Sequence, residues 1–229
     1  MKKHYPWLWF DADGTLFDYD RAEATALRRA FSSLHLPFED WFLERYRGIN
    51  QELWRALERH EITPAALRLR RFELLLQAIQ VSCSIDELSS VYLEQLAVCA
   101  DLMDGAYEVL QALHRSCRIA ILTNGLQSVQ RGRLRRSAIQ PFISEILISE
   151  EIGVAKPQAA FFEIASARTG HPLKSEILLI GDSLTSDIRG GVDYGIDTCW
   201  YNPAGAPRTE GLQSKYEIKR LAELLDVIE

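Results

Sequence analysis

The chain has 229 residues, 47% of them hydrophobic and 25% charged, with a formal charge of −6. This composition leaves room for one domain of ordinary size and a smaller second one, and it excludes wholesale disorder and a membrane-embedded chain. The negative balance gives no electrostatic footprint for polymeric nucleic acid. Cys83, Cys99, Cys117 and Cys199 have neither CxxC spacing nor nearby histidine pairs, so they read as small core residues of a cytoplasmic protein rather than zinc ligands or a disulfide framework.

Lys2 and Lys3 precede an apolar run, Trp7 to Phe10, that Asp11 ends too soon for a signal peptide or a membrane span. The run reads instead as a buried strand, the first of three such runs. It leads into Asp11-Ala12-Asp13-Gly14-Thr15-Leu16, two carboxylates one residue apart at a strand's carboxyl end, where the crevices of open α/β sheets form. Residues 19–100 then carry helical patterns and no convincing strand. Asp20 with Glu23 makes a capping-box-like start, and Leu67, Arg71, Leu74, Leu75 and Ala78 keep helical spacing. The expectation is an all-helical cap inserted after the first strand, with 1–18 and 101–229 forming an α/β core.

After a helix over Tyr107 to Arg115, the second apolar run, Ile119 to Leu122, delivers Thr123-Asn124-Gly125 ahead of a helix over Val129 to Ser137. A hydroxyl and exposed backbone N–H groups in that place suit phosphate oxygens, although a plain turn reads the same way. Arg131, Arg133, Arg135 and Arg136 on that helix read as a solvated face. A strand over Glu145 to Ile148 follows. Lys156 then stands before Pro157, a favourable first helical residue, at the junction with a helix over Ala159 to Thr169. The third run, Ile177 to Ile180, delivers Gly181-Asp182-Ser183 and then Asp187, with a helix over Ser186 to Tyr194 and a strand over Asp197 to Tyr201. Such alternation predicts a doubly wound, Rossmann-like parallel sheet. Three or more carboxylates converging on one rim repel each other, and a divalent cation with one lysine is the neutralising set.

These four pieces, in this order, resemble the haloacid dehalogenase superfamily of phosphatases over essentially the whole chain. The resemblance implies Asp11 as nucleophile, Asp13 as general acid and base, and Thr123, Asn124 and Lys156 as phosphate ligands. It implies magnesium, or manganese, held by Asp11, Asp13 and Asp182 with Asp187 in support. The stretches Gly48 to Trp54, Arg71-Phe72-Glu73, Ser149 to Pro157 and Thr198 to Asn202 are similar to bacterial housekeeping pyrimidine nucleotidases that act on noncanonical nucleotides. The implied partner is a small phosphorylated metabolite, a pyrimidine nucleoside monophosphate such as UMP, dUMP or dTMP, with a monomer or dimer and no membrane.

A pyrimidine ring is flat, apolar on its face and polar at its edge, so Asn50, Trp54, Arg71 and Phe72 are the cap's candidates for reading it. A carboxylate two residues after the nucleophile favours phosphoryl transfer over dehalogenation, which needs no leaving-group acid. A sugar-phosphate phosphatase or a phosphomutase would keep the same core residues. From another class, a non-enzymatic phospho-acceptor signalling module shares the acidic chemistry but has no role for a large helical insertion, whereas a closing cap does.

Overall fold

Along β1 (Trp7–Phe10) every side chain is buried, so both faces of this strand must be covered, as in a parallel sheet layered between helices. The computed structural model describes residues 2–59 and 61–228, so the expected domain limits at 1 and 229 lie outside the described residues. β1 is joined by β2 (Arg118–Thr123), β3 (Glu145–Ile148), β4 (Ile177–Gly181), β5 (Asp197–Tyr201) and β6 (Tyr216–Ile218). They form one sheet in the order β3-β2-β1-β4-β5-β6, with all neighbours parallel. β6 went unpredicted because Tyr-Glu-Ile is no apolar run and only Ile218 is fully buried.

The chain divides into two compact units. The second unit, Asp20–Cys99 with Ser128–Arg133, is built from α1 (Tyr19–Ser33), α2 (Asp40–Glu58), α3 (Pro64–Ile79) and α4 (Ile85–Val98). Thr63 caps α3 by accepting Ala66 N–H at 3.2 Å with Pro64 in the first turn, and Ser84 caps α4 by accepting Glu87 N–H at 3.3 Å. Both satisfy helix donors that would otherwise lack partners. Tyr46, Phe72 and Tyr92 pack against one another with ring centroids 5.2 to 5.6 Å apart. The expected capping box does not form as drawn. Helix α1 already includes Tyr19 and Asp20, and Glu23 is 2% exposed with its carboxylate turned to Arg47 Nε and Asn50 Nδ2, each at 3.0 Å.

The first unit, Met1–Tyr19, Ala100–Gln127 and Leu134–Glu229, holds the sheet together with α5 (Ala106–Leu113), the two ends of α6 (Gln127–Arg136), α7 (Ser149–Ile152), α8 (Ala159–Arg168), α9 (Arg189–Tyr194) and α10 (Leu224–Val227). Leu8 and Phe10 of β1 share one core with Val109, Leu110, Leu113 and Leu224 from α5 and α10. Trp7 and Trp9 share the opposite core with Phe161, Phe162 and Tyr194 from α8 and α9. The sheet is therefore doubly wound, as its apolar runs require. From β1 the chain winds outward through β2 and β3, then returns to place β4 on the other side of β1. The carboxyl ends of β1 and β4 flank the point of reversal, which is where such sheets bind ligands.

Two local expectations are corrected. Arg133 is fully buried, so the basic cluster on α6 is solvated only in part, with Arg135 and Arg136 exposed. Pro157 does not open α8, which starts at Ala159 after Gln158. In addition, the helix expected from Ser186 begins as a π-helical turn, Leu184–Ile188, before α9. Cys99, Cys117 and Cys199 are buried, Cys83 is half-buried, and none of the four is in a disulfide. No described helix is long and apolar enough to cross a membrane.

Candidate active site

Asp11 directly follows β1, with its N–H donating to Ile180 O at 2.8 Å, which fixes its backbone to the end of β4. The residue is 8% exposed. Lys156 Nζ donates to Asp11 Oδ1, to Asp187 Oδ1 and to Leu122 O, each at 2.6 Å. An ammonium has three hydrogens, and all three are used. Burial opposes the charge on Lys156, but the two carboxylates outweigh it and hold the amine protonated above the ordinary lysine range. Burial pushes the Asp11 carboxyl well above its usual range; Lys156 pulls it back, while Asp187 and Asp182 push it further up.

Asp187, 0% exposed, gives its other oxygen to Ser183 N–H at 3.1 Å. It therefore serves Lys156 and the β4 loop at once. Gly181 makes this possible, since a Cβ there would lie 2.3 Å from Asp187 Oδ2. Asp182 reaches solvent, yet the protein around it and then the Asp187 charge push its carboxyl up to about 7, against a hydrogen bond from Thr15. Thr15 Oγ1 donates to Asp182 Oδ1 at 3.1 Å, and Trp200 Nε1 donates to Asp182 O at 2.9 Å. Gly14, at φ +83°, completes the approach: a Cβ there would meet Asp182 Oδ2 at 2.8 Å. Sequence reasoning passed over Thr15, whose only signal was its place in the first motif.

Asp13 lies half-buried in the turn after Asp11, where Gly14 N–H donates to Phe17 O at 2.9 Å. Thr123, 1% exposed, accepts Gly125 N–H at 3.0 Å, which leaves its hydroxyl hydrogen to donate elsewhere. Asn124 pairs with the main chain of Lys156 at both ends of its amide, each bond 2.9 Å long. Asp11, Asp182, Asp187, Lys156, Thr123 and Asn124 are thus brought together at the carboxyl edge of the sheet.

The acidic trio Asp11, Asp182 and Asp187 offers oxygen atoms within 4.8 Å of one another. Three carboxylates against one ammonium leave a formal −2, and burial first and then the acidic neighbours raise the Asp11 and Asp182 carboxyl groups. An all-oxygen set of that charge fits a hard divalent cation. Of the three, Asp11 and Asp182 could hold it, since both oxygens of Asp187 are already engaged.

The four cap candidates lie in the second unit. Asn50, 3% exposed, donates to Glu23 Oε1 at 3.0 Å and accepts from Arg71 Nη1 at 3.4 Å. The Arg71 guanidinium, 1% exposed, lies 4.8 Å from the Tyr92 ring centre and 5.2 Å from that of Phe72, within cation–π range. Phe72 is wholly buried in that aromatic core, and Trp54 is half-buried on α2. Glu23 was missed as a member of this network because its spacing from Asp20 reads as helix capping.

Residues 7–195 match the family of haloacid dehalogenase-like hydrolases. The HAD-hydrolase YfnB of Bacillus subtilis is 36% identical over 226 residues, covering 99% of this chain and 96% of YfnB. A crystal structure of YfnB bound to magnesium superposes with a TM-score of 0.93 over 99% of this chain and 100% of that one. The pyrimidine 5'-nucleotidase YjjG of Escherichia coli is 33% identical, covering 96% of each chain. The pyrimidine 5'-nucleotidase PynA of Streptococcus pneumoniae is 34% identical, covering 98% of this chain and 95% of its own. With the acidic end of β1, the β2 turn, the buried lysine and the carboxylates after β4 all in place on that fold, the chain belongs to the haloacid dehalogenase-like hydrolases.

Proposed function

We propose that this enzyme hydrolyses phosphate monoesters through a phospho-aspartate on Asp11, with pyrimidine nucleoside monophosphates as its substrates. The observation that carries the reading is the Asp11 carboxylate, held by Lys156 at the sheet's reversal point with a second carboxylate, Asp13, two residues on. Similarity to YjjG and PynA supports the choice of substrate.

Asp11 attacks phosphorus and takes the phosphoryl group, while Asp13 gives its proton to the departing ester oxygen. Asp13, now a carboxylate, accepts a proton from water as that water attacks phosphorus, releasing inorganic phosphate and restoring Asp11. Lys156 and the Thr123 hydroxyl offset charge on the phosphoryl oxygens. Asp11 and Asp182, with the main-chain carbonyl of Asp13, would hold magnesium, and Asp187 would support the site through Lys156 and Ser183. The bound ion supplies positive charge to the oxygens of the transferring group.

In the cap, Asn50 and Arg71 are the proposed readers of the ring's polar edge and Trp54 of its face. Phe72 acts by packing beneath the Arg71 guanidinium. A steady-state screen of nucleotides, sugar phosphates and small phosphorylated acids with purified protein and magnesium tests the whole reading. Many turnovers per chain with preference for pyrimidine monophosphates are expected. Preference for sugar phosphates, or one stoichiometric labelling without phosphate release, would overturn it. Asn50→Ala should lower kcat/KM for UMP or dTMP while sparing an artificial aryl phosphate; equal losses on both would remove Asn50 from base reading.

A further inference from the structure

We infer that Asn124 is a positioning residue whose side chain acts through Lys156 rather than on the phosphoryl group; the inference rests on the phosphatase reading above. Its Nδ2 donates to Lys156 O at 2.9 Å and its Oδ1 accepts Lys156 N–H at 2.9 Å. These two bonds close a ring on the main chain of a single residue, 32 positions away. They tie the turn after β2 to the segment between α7 and α8.

Lys156 needs such an anchor. The chain around it is neither helix nor strand, and the neighbouring turn bonds, Gly153 N–H to Ser149 O and Gln158 N–H to Ala155 O, use neither the N–H nor the C=O of Lys156 itself. Its side chain nevertheless spans a buried path to three acceptors, each at 2.6 Å. A four-carbon stem has many rotamers, and holding it in one costs conformational entropy. Fixing both the N–H and the C=O of Lys156 sets the origin from which one rotamer reaches Asp11, Asp187 and Leu122 O together. The placement of the ammonium beside the nucleophile is therefore set in part from β2, the strand that also supplies Leu122 O and Thr123 to the site.

A double-mutant cycle separates this role from direct phosphate binding. With p-nitrophenyl phosphate as substrate, Asn124→Ala should lower kcat/KM about 10- to 100-fold, the scale of a misplaced catalytic group. In a Lys156→Met background the same change should cost less than about threefold. A full loss persisting in that background would show that Asn124 acts on the phosphoryl group itself and would overturn the inference. Should Lys156→Met fail to fold, amide hydrogen exchange on the single variant decides. Asn124→Ala should speed exchange of the Lys156 N–H at least about tenfold while that of Asp11, bonded to Ile180 O, stays constant. Unchanged exchange at Lys156 would overturn the clamp. Exchange needs no substrate, so it reads the clamp even if the wild-type protein releases phosphate from no monoester, a result that would sink the phosphatase reading alone.

Discussion

Replacing Lys156 by methionine keeps the length and most of the apolar stem and removes only the charge. In the native protein the ammonium is 2.6 Å from Asp11 and from Asp187, and it is almost wholly buried. Two unit charges about 4 Å apart attract by about 4 kcal/mol at an effective dielectric of 20, so the two pairs together supply about 8 kcal/mol. Burying the ammonium costs several kcal/mol of hydration. The difference, about 3–5 kcal/mol, is the usual loss when one partner of a buried pair is removed. For a chain of this size that is a drop in Tm of about 6–20 °C.

The drop should depend on pH, and its sign follows from linkage. Asp11 already has a raised carboxyl group because of burial and its acidic neighbours, with Lys156 opposing the rise. Without Lys156 the folded state binds still more protons than the unfolded state, so stability falls as pH rises from about 4, the unfolded value, through the raised folded value. Thermal melts in excess chelator, followed by tryptophan fluorescence, should show the gap between wild type and Lys156→Met widening from pH 5 to pH 8. A gap that is constant, or larger at pH 5, would refute charge compensation and leave only packing of the stem.

Asp11→Asn should abolish phosphate release without unfolding the chain, because an amide is a poor nucleophile; more than a few per cent residual activity in a folded variant would sink the mechanism. Asp13→Asn should slow both formation and hydrolysis of the phospho-enzyme by about 10²-fold or more, as read by single-turnover and steady-state kinetics. Chelation should silence the enzyme and magnesium restore it, whereas calcium, with longer bonds and more ligands, should bind and inhibit; full activity after verified metal removal would count against the metal site. At the other edge of the sheet, burial raises the Asp197 carboxyl, but bonds from Lys215, Lys3 and Tyr5 outweigh it and hold it below its usual range. Asp197→Asn should therefore cost about 1 kcal/mol at pH 7, a partly exposed pair being worth little more, and the cost should shrink as pH falls from about 4, the unfolded value, through the lowered folded value.

The strands at the centre of the sheet were legible because each is apolar on both faces and ends abruptly in polar residues, as β1 does at Asp11 and β4 at Asp182. Parallel order and the place of the site followed from that alternation. β6 was not legible, since an edge strand with one buried residue leaves no apolar run to read. The π-helical turn after β4 escaped notice for a different reason: its spacing differs from an α-helix by one residue over a single turn, while its cap, Ser183 accepting Ser186 N–H, looks the same in either case.

Buried charge is where pattern reading is weakest, because a lone arginine, lysine or glutamate is surface in most contexts and only a partner makes it otherwise. Lys156 was readable because several acidic motifs already asked for a cation. Arg133 and Glu23 offered no such demand, and both were assigned to ordinary helical duties. The partners of Glu23, Arg47 and Asn50, lie on the next helix, 24 and 27 residues on, a distance at which neither periodicity nor capping rules connect side chains. The same holds for Asn124 and Lys156, 32 residues apart. A motif names the residues that need one another chemically, and the fold decides which of them touch. Asn124 therefore reads in sequence as a phosphate ligand, while in the fold its amide is occupied by the backbone of the lysine beside the nucleophile.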